Sequence, residues 1–244
     1  MKRLVLAAAI TAASAATNAA VITNVVTGTD AEVLAYGSMY ESSFVTATKE
    51  TFENGYTTVV GGADNSGATI NTLVGSFTSV ATPVPGSFGE TLALADENTV
   101  IFTGRKNTTA GGANFLDSND STKVVWELAL DPVSSFSDIG FYMSDVGDVE
   151  AFLNIEFDDG STESVSLLGN AANGNLQYVT AHFDPGVTYA QVVFNNLLAD
   201  GSWADNDGWG IDDIIVGKVP EPSSVALLGL GLLGAGMARR NKKA

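Results

Sequence analysis

The sequence contains no cysteine and a single histidine among its 244 residues. Without cysteine, no disulfide framework holds the fold and no thiolate acts as a nucleophile. With His182 as the sole histidine, a zinc centre of cysteine and histidine ligands is excluded for practical purposes. A serine–histidine–aspartate triad would have to use His182, and no Gly-x-Ser-x-Gly turn accompanies it. The sequence therefore points away from enzymatic activity.

Basic residues are also scarce. The chain has 11 Lys and Arg against 28 Asp and Glu, and its formal net charge is −17. Six of the 11 basic residues lie close to the two ends, so the stretch between them is more acidic than the whole chain. Such a surface repels nucleic acid and suits divalent cations or simple solubility outside the cell. Nucleic acid is therefore not an expected partner.

Long apolar runs are confined to the two ends of the sequence. Near the start, Lys2 and Arg3 precede a small-residue apolar run at 4–13, and small residues suited to a cleavage site follow before Val21. This order is typical of a secretory signal peptide. We therefore predict a signal peptide over residues 1–20 and a separate folded domain over residues 21–219.

The second apolar run, 223–238, follows Pro220, Glu221 and Pro222 and precedes four basic residues. A helix of this length covers about 24 Å, a little less than the ~30 Å hydrocarbon core of a bilayer, and snorkelling cations can supply the difference. The basic cluster should stay on the cytoplasmic side. The run predicts a transmembrane helix within residues 220–244; the alternative is a buried C-terminal helix of a soluble domain.

The Pro-Glu-Pro step, the glycine- and leucine-rich run and the closing Arg239 and Arg240 together resemble the PEP-CTERM sorting signal. This signal is found in Gram-negative bacteria that make extracellular polysaccharide. The resemblance implies that a membrane protease of the exosortase type recognises the tail and cleaves it near the Pro-Glu-Pro step. It further implies export across the inner membrane to the cell surface or extracellular matrix, with transient anchoring in the membrane.

Between the ends, short β-branched and aromatic runs alternate with clusters of Gly, Asn, Asp and Ser, which is the pattern of an all-β domain. We predict a β-sandwich or jelly roll. The candidate strands are 56–60, 77–80, 99–102, 123–130, 137–143, 151–157, 163–168, 178–182, 189–195 and 210–216. An Asp-Gly turn at 158–160 predicts a hairpin. The one helical signal is a possible turn near 30–39, and residues 21–49 either add edge strands or wrap the domain.

Two acidic motifs near opposite ends of the body suggest a metal site. Asp212 and Asp213 are adjacent in an apolar strand, where one carboxylate must point inward or to a sheet rim. A hard cation with oxygen ligands would compensate it, and Glu53 is the natural partner if its segment lies beside the last strand. The alternative places both aspartates in solvent at a strand bulge and Glu53 in a turn.

The Phe-Glu segment at 52–53 and the Ile-Asp-Asp strand at 211–213 resemble the jelly-roll carbohydrate-binding modules. The resemblance implies structural calcium bound by Glu53, Asp212 and Asp213.

Aromatic residues offer possible sugar contacts, because their rings stack on the face of a pyranose. Trp203 is the best candidate, since it lies in the polar stretch 200–208, although a tryptophan folded back over the sandwich is an equal alternative. Trp126 falls within a predicted strand and is expected in the core. The other rings considered are Trp209, Tyr142, Tyr178 and Tyr189.

These observations predict an exported surface or matrix protein with a structural or carbohydrate-binding role and no catalysis. Extracellular polysaccharide is the expected ligand and an exosortase-like protease the expected processing partner. One alternative is a calcium-dependent adhesin or scaffold. A less favoured one is a polysaccharide-degrading enzyme that uses paired carboxylates, since so acidic a chain does not exclude such a pair.

Overall fold

The structure, a computed structural model, describes residues 20–55, 69–80, 92–99, 104–118, 121, 123–146, 150–156, 162–166, 174–195 and 208–220. The described residues form one helix and thirteen strands. In chain order these are β1 Ala20–Thr27, α1 Asp30–Glu41, β2 Thr46–Glu50, β3 Thr69–Thr72, β4 Gly75–Ser79, β5 Ala93–Asp96, β6 Asn114–Asp117, β7 Lys123–Leu128, β8 Phe136–Ser144, β9 Glu150–Glu156, β10 Thr162–Ser166, β11 Leu176–Val187, β12 Ala190–Asn195 and β13 Gly210–Lys218.

The strands form two antiparallel sheets. The first has the order β1-β11-β8-β13-β6-β5, and β2 also pairs with β13. The second has the order β10-β9-β12-β7-β4-β3. Their inner faces enclose the main hydrophobic core. The predicted all-β sandwich is therefore confirmed.

Alternation along β7 shows why these segments become strands. Val124, Trp126 and Leu128 are fully buried, whereas Lys123 on the same strand is exposed. Successive side chains of a strand point to opposite faces, so every second residue enters the core. Trp126 packs against Phe77 of the neighbouring strand, with ring centroids 5.1 Å apart. The expectation that Trp126 belongs to the core is confirmed.

Most predicted strands that fall within the described residues are present with shifted ends. The hairpin is present as the antiparallel pair β9–β10, while its turn at 158–160 lies outside the described residues. The predicted strand at 56–60 and most of that at 99–102 also lie outside them. For residues 21–49 the sequence left two alternatives, edge strands or a segment that wraps the domain. In the structure, β1 adds an edge strand to the first sheet and β2 pairs with β13.

The expectation of no more than a turn near 30–39 is wrong, because α1 extends over twelve residues. Its start is fixed by a capping box. The hydroxyl of Thr29 accepts the Glu32 N–H, and the Glu32 carboxylate accepts the Thr29 N–H at 2.9 Å. Two backbone donors that the helix leaves unpaired are thereby satisfied.

One face of α1 covers the outer face of the first sheet. Val33, Tyr36, Gly37 and Tyr40 follow the i, i+3, i+4, i+7 spacing of a helix face. They pack on the sheet against Val26, Tyr142, Leu176 and Tyr178. Val33 is the one aliphatic residue among these four helix positions and the others are tyrosine and glycine, which is why the periodicity of the face is weak in the sequence.

Both ends of the described chain leave the first sheet at the same end, here called the exit end. Ile22 near the start of β1 pairs with His182, His182 pairs with Asp138, and Asp138 pairs with Gly217 near the end of β13. This row crosses four neighbouring strands, so β1 and the end of β13 lie about 14 Å apart. The opposite end, where Ser144 pairs with Gly210, is here called the far end.

Among the described residues, no helix has the length and apolar content needed to cross a membrane. The predicted membrane segment at 223–238 and the predicted signal peptide, apart from Ala20, lie outside those residues.

Candidate functional site

The candidate site lies where β13 changes its neighbour. Gly210 and Ile211 pair with β6, whereas β13 pairs with β2 from Ile214 onward. The register against β8 also shifts between Asp212 and Ile215. Asp213 sits at this irregularity with a φ of 47°, a left-handed conformation that aspartate tolerates better than most residues. The two adjacent carboxylates thus occupy a break in strand pairing.

Asp212 is buried, with 1% of its surface exposed. Its Oδ2 accepts the backbone N–H groups of Thr108, at 2.7 Å, and Thr109, at 3.2 Å, and the Thr108 hydroxyl at 3.0 Å. Its Oδ1 has no hydrogen-bond partner within the described part of the chain. Burial, reinforced by the charge of Asp213, raises the pKa of Asp212 to about 7.

Asp213 is better compensated. Its oxygens accept the hydroxyls of Thr108, at 3.1 Å, and Thr109, at 2.8 Å, and its Oδ1 lies 3.0 Å from Lys49 Nζ. Lys49 also pairs with Glu41 at 2.8 Å. Burial by itself would lower the pKa of Lys49, but the two carboxylates together raise it. One cation therefore serves two carboxylates here.

Glu53 reaches the same loop from the other side. Its Oε1 accepts the N–H groups of Ala113, at 2.8 Å, and Asn114, at 2.9 Å. It also lies 2.9 Å from Asn107 Nδ2, which is 3.3 Å from Asp212 Oδ2. The segment before Glu53 lies beside the last strand, as the sequence analysis required, because β2 pairs with β13. Asn107 therefore bridges Glu53 and Asp212.

Two side-chain donors at this site are shared among several acceptors. Asn107 Nδ2 carries two protons but faces three acceptors, since the Asn114 carbonyl oxygen lies 2.8 Å away in addition to the two carboxylates. The Thr108 hydroxyl carries one proton but lies about 3 Å from both Asp212 and Asp213. Among the described residues, Asp212 Oδ1 is the carboxylate oxygen of Asp212 that this network leaves without a donor.

The acidic side chains do not form a metal site by themselves. Within the described ranges, no three Asp, Glu or His side chains converge closely enough to hold an ion. Additional oxygens would have to come from neighbours such as Asn107, whose amide also carries an oxygen, the Asn114 carbonyl and the Thr108 hydroxyl. The loop itself was not predicted, because Asn-Thr-Thr at 107–109 has no feature that separates it from an ordinary polar loop.

A second polar cluster lies near the far end. Arg105 is buried and pairs with Asp117, with Nη1 and Oδ1 2.8 Å apart. Its Nε lies 3.8 Å from Asp145 Oδ2, and Asp145 in turn accepts the Gly174 N–H. A buried arginine between two carboxylates ties three separate chain segments together, so this cluster has a structural role.

The candidate sugar-contacting rings have different environments. Four of them are buried, which makes them unavailable for stacking on a ligand: Trp126, Trp209, Tyr142 and Tyr178. Tyr189 is 38% exposed, and its hydroxyl donates to Glu127 at 2.7 Å. Trp203 lies outside the described residues, in the connection between β12 and β13.

Several solved structures are similar to parts of this chain at low identity. The enzymatically active domain of tailspike protein 4 of bacteriophage CBA120 is 16% identical at a TM-score of 0.32; the match covers 52% of this chain but 17% of that one. A mutant of CBM29-2, a family 29 carbohydrate-binding module, is 14% identical at a TM-score of 0.32 and matches over 71% of this chain and 96% of its own.

The K2 cleaved adhesin domain of Lys-gingipain is 14% identical at a TM-score of 0.37, with 70% of this chain and 97% of that chain covered. Similarity at this level bears on neither ligand nor activity. No curated protein matches the chain.

The C-terminal motif is specific. Residues 218–243 match the PEP-CTERM protein-sorting motif, and the matched stretch contains Pro220, Glu221, Pro222, Arg239 and Arg240. The match starts at Lys218, the last residue of β13, so the signal follows the folded domain directly. The chain therefore carries a PEP-CTERM sorting signal, which indicates an exported protein whose sorting toward the cell surface is linked to the membrane.

Proposed function

We propose that this chain is a surface or extracellular-matrix protein of a Gram-negative bacterium with a non-catalytic role in the extracellular polysaccharide layer. An exosortase-like protease removes its tail at the Pro-Glu-Pro step after export. The observation that carries the proposal is the sorting motif at 218–243, joined without a spacer to the last strand of a β-sandwich.

Mass spectrometry of the mature protein from producing cells tests the processing. We expect a chain that begins near Val21 and ends near Pro220. A variant with Pro220→Ala and Pro222→Ala should keep the tail and remain in the membrane fraction, whereas Val80→Ala, at an exposed position remote from the tail, should be processed normally. Recovery of the full-length chain from the cell surface would contradict the proposal.

For the ligand, we propose the producer's own extracellular polysaccharide, with Trp203 as a stacking ring. Pull-down and calorimetry with the purified polymer should detect binding that Trp203→Ala weakens at least tenfold. Tyr189→Ala serves as the matched control. Tyr189 is also an exposed aromatic residue, but its hydroxyl donates a hydrogen bond to Glu127. Absence of binding would remove the carbohydrate role, and shortening of the polymer would favour the enzymatic alternative.

We also propose structural calcium at Glu53, Asp212 and Asp213. Three features support this site: the unpartnered Asp212 Oδ1 among the described residues, the sharing of the Asn107 and Thr108 donors among several acceptors, and the excess of acidic residues in the chain. Calcium takes six to eight oxygen ligands in flexible geometry, so it accepts a mixture of carboxylate, amide and carbonyl oxygens. Bound there, it would supply positive charge that the loop donors do not.

Calorimetric unfolding with and without calcium tests the site. At about 100 times Kd, a ligand bound to the native state stabilises it by about 2.7 kcal/mol, which corresponds to a rise in Tm of roughly 5–10 °C for a domain of this size. Asp212→Asn should abolish the rise, and Asp184→Asn, at an exposed site elsewhere, should keep it. An unchanged Tm on addition of chelator to the purified protein would exclude the calcium site and the calcium-dependent adhesin together.

A further inference from the structure

The exit end is joined to the tail at a fixed point. The Val219 N–H donates to Asp138 Oδ2 at 3.0 Å. Asp138 is itself buried and is held by the Ser137 hydroxyl and by His182, whose Nδ1 lies 2.9 Å from Asp138 Oδ1. The chain is therefore attached to the sandwich as far as Val219, one residue before the Pro-Glu-Pro step.

The link from this point to the apolar run is short. Four residue steps separate Val219 from Ser223, and an extended chain covers at most about 3.6 Å per step, or about 14 Å in total. When the run 223–238 lies in a bilayer, the exit end is therefore held within about 14 Å of the hydrocarbon. The headgroup layer occupies roughly 5–8 Å of that distance. The domain can therefore stand at most about 6–9 Å above the headgroup layer.

The side chains at the exit end suit this position. Three of its aliphatic side chains are largely exposed: Ile22 at 65%, Val45 at 66% and Val133 at 76%. The Val45 N–H donates to the Lys218 carbonyl, and Ile22 pairs with His182 in the row that ends beside the tail. Val133 belongs to the β7–β8 connection, which Lys218 reaches through Ser135. Aliphatic groups therefore lie on three sides of the point where the tail leaves.

The exit end carries a cation close to the tail. Lys218 is exposed there, as are the acidic residues Asp131 and Asp184. His182 is half-buried and bound to Asp138. Lys218 therefore gives an otherwise acidic domain a point of attraction to anionic headgroups beside the tail.

We propose that the exit end lies flat against the lipid surface for as long as the tail remains in the membrane. Ile22, Val45 and Val133 then contact the headgroup layer, and the far end points away from the membrane. The inference rests on the membrane stage of the proposed function. It also turns the far end, where β12 ends and β13 begins, toward the extracellular layer.

Site-directed spin labelling tests the orientation, and the absence of native cysteine makes each label unique. The chain without its predicted signal peptide, residues 21–244, carrying Ile22→Cys, Val45→Cys or Val133→Cys is reconstituted into vesicles of phosphatidylethanolamine and phosphatidylglycerol. Val80→Cys is the matched control, because Val80 is an exposed aliphatic residue at the far end, 49% accessible and hydrogen-bonded to Lys123. Accessibility to oxygen relative to a nickel chelate reports contact with lipid. Flotation of the vesicles reports insertion of the tail.

We expect the oxygen-to-nickel accessibility ratio to be severalfold higher at the three exit-end positions than at Val80. Equal, water-like ratios at all four positions in a chain that floats would overturn the orientation and leave the proposed processing intact. Failure to float would refute the membrane stage, and the orientation with it. Dipolar broadening between labels on different copies, without lipid contact, would show that a second copy covers the exit end instead.

Discussion

Asp212 and Asp213 show how two adjacent carboxylates in one strand reach different energetic states. Asp213 contacts Lys49 and two threonine hydroxyls, so its charge is compensated. Asp212 is satisfied at Oδ2 but, among the described residues, not at Oδ1. Burial with one oxygen unpaired makes the ionised form of an aspartate side chain less favourable than the protonated form. Asp212 is therefore the carboxylate whose ionised form the proposed calcium would stabilise most.

Replacing Asp212 should change how stability depends on pH in calcium-free buffer. Because the native pKa of Asp212 is raised to about 7, the native chain keeps a proton that the unfolded chain, with a pKa of about 3.9, releases. The wild type therefore loses stability as pH rises from about 4 to about 7, by at most about 1.4 kcal/mol per pH unit. The Asp212→Asn variant should not lose stability in this way, because asparagine has no carboxyl group to titrate.

The measurement is the difference in Tm between Asp212→Asn and the wild type, followed by calorimetry with chelator present. It should grow in favour of the variant between pH 5 and pH 7 and then level off. Carboxylates distant from Asp212 contribute equally to both chains, so they cancel in the difference. A constant difference across this range would show that the Asp212 carboxyl titrates normally.

Tyr142 and Tyr178 form a matched pair beneath α1. Their rings lie 4.5 Å apart in an edge-on arrangement, and both are buried. The Tyr142 hydroxyl donates to the Leu34 carbonyl at 3.2 Å, whereas the Tyr178 hydroxyl has no partner in the described part of the chain. Burial raises the pKa of both phenols, because the ionised form would be poorly solvated there.

The two phenylalanine variants should therefore differ in stability. Tyr142→Phe removes a hydrogen bond to a helix carbonyl, which costs about 1 kcal/mol. Tyr178→Phe removes a buried hydroxyl without breaking a bond, so stability should stay the same or rise. Chemical denaturation of both variants measures the difference. A larger loss for Tyr178→Phe would mean that its hydroxyl has a partner in the native protein.

At the scale of elements, α1 covers part of the outer face of the first sheet and buries the side chains beneath it. Packing of α1 on β8 and β11 buries Val33 against Leu176 and the two tyrosines. The helix can approach because Gly37 faces the sheet. A Cβ at that position would collide with the Tyr142 hydroxyl and with the Tyr178 ring.

Gly37→Ala should therefore destabilise the protein, although alanine favours an isolated helix over glycine by about 1 kcal/mol. The collision forces the helix away from the sheet, and overpacking of this kind typically costs 1–3 kcal/mol, roughly. Ser38→Ala is the control, since Ser38 is exposed on the same helix and the change should be neutral or slightly stabilising. Thermal unfolding and near-ultraviolet circular dichroism of the tyrosines measure both. Equal stability of the two variants would contradict close contact at Gly37.

At the scale of the whole molecule, the dominant electrostatic feature is excess negative charge. A net charge of −17 makes the compact state repel itself. Simple salt should therefore raise the Tm, because the Debye length falls from about 30 Å at 0.01 M to about 8 Å at 0.15 M. The rise should be gradual and similar for sodium and potassium chloride, and Asp212→Asn should keep it. A Tm that is independent of salt would show that the acidic groups are too far apart to interact.

The carboxylates of the candidate site could be predicted from the sequence, but the loop that contacts them could not. Asp212 and Asp213 were recognisable because charge is unusual in an apolar strand, and Glu53 because it precedes a predicted strand. The loop that supplies their donors was not recognisable. Thr108 reaches Asp212 across a sequence separation of 104 residues, and nothing in the local pattern indicates that approach.

Local pattern also explains which elements were predicted. Strands with alternating burial, such as β7, and the β9–β10 hairpin were recognisable, because a period of two is visible in any short window. The helix α1 was missed, because its buried face uses tyrosine and glycine and gains its stability from the sheet rather than from its own residues.

The sequence by itself determined that this is an acidic β-sandwich protein with a C-terminal sorting signal, because alternation, composition and the tail are properties of neighbouring residues. The tertiary structure decided which residues meet. It placed the row from Ile22 to Gly217 across four strands, and with it the start of β1 and the end of β13 at one end of the sandwich. It also brought the 107–109 loop onto Asp212. These contacts depend on strand order and register, which are set by packing over the whole chain.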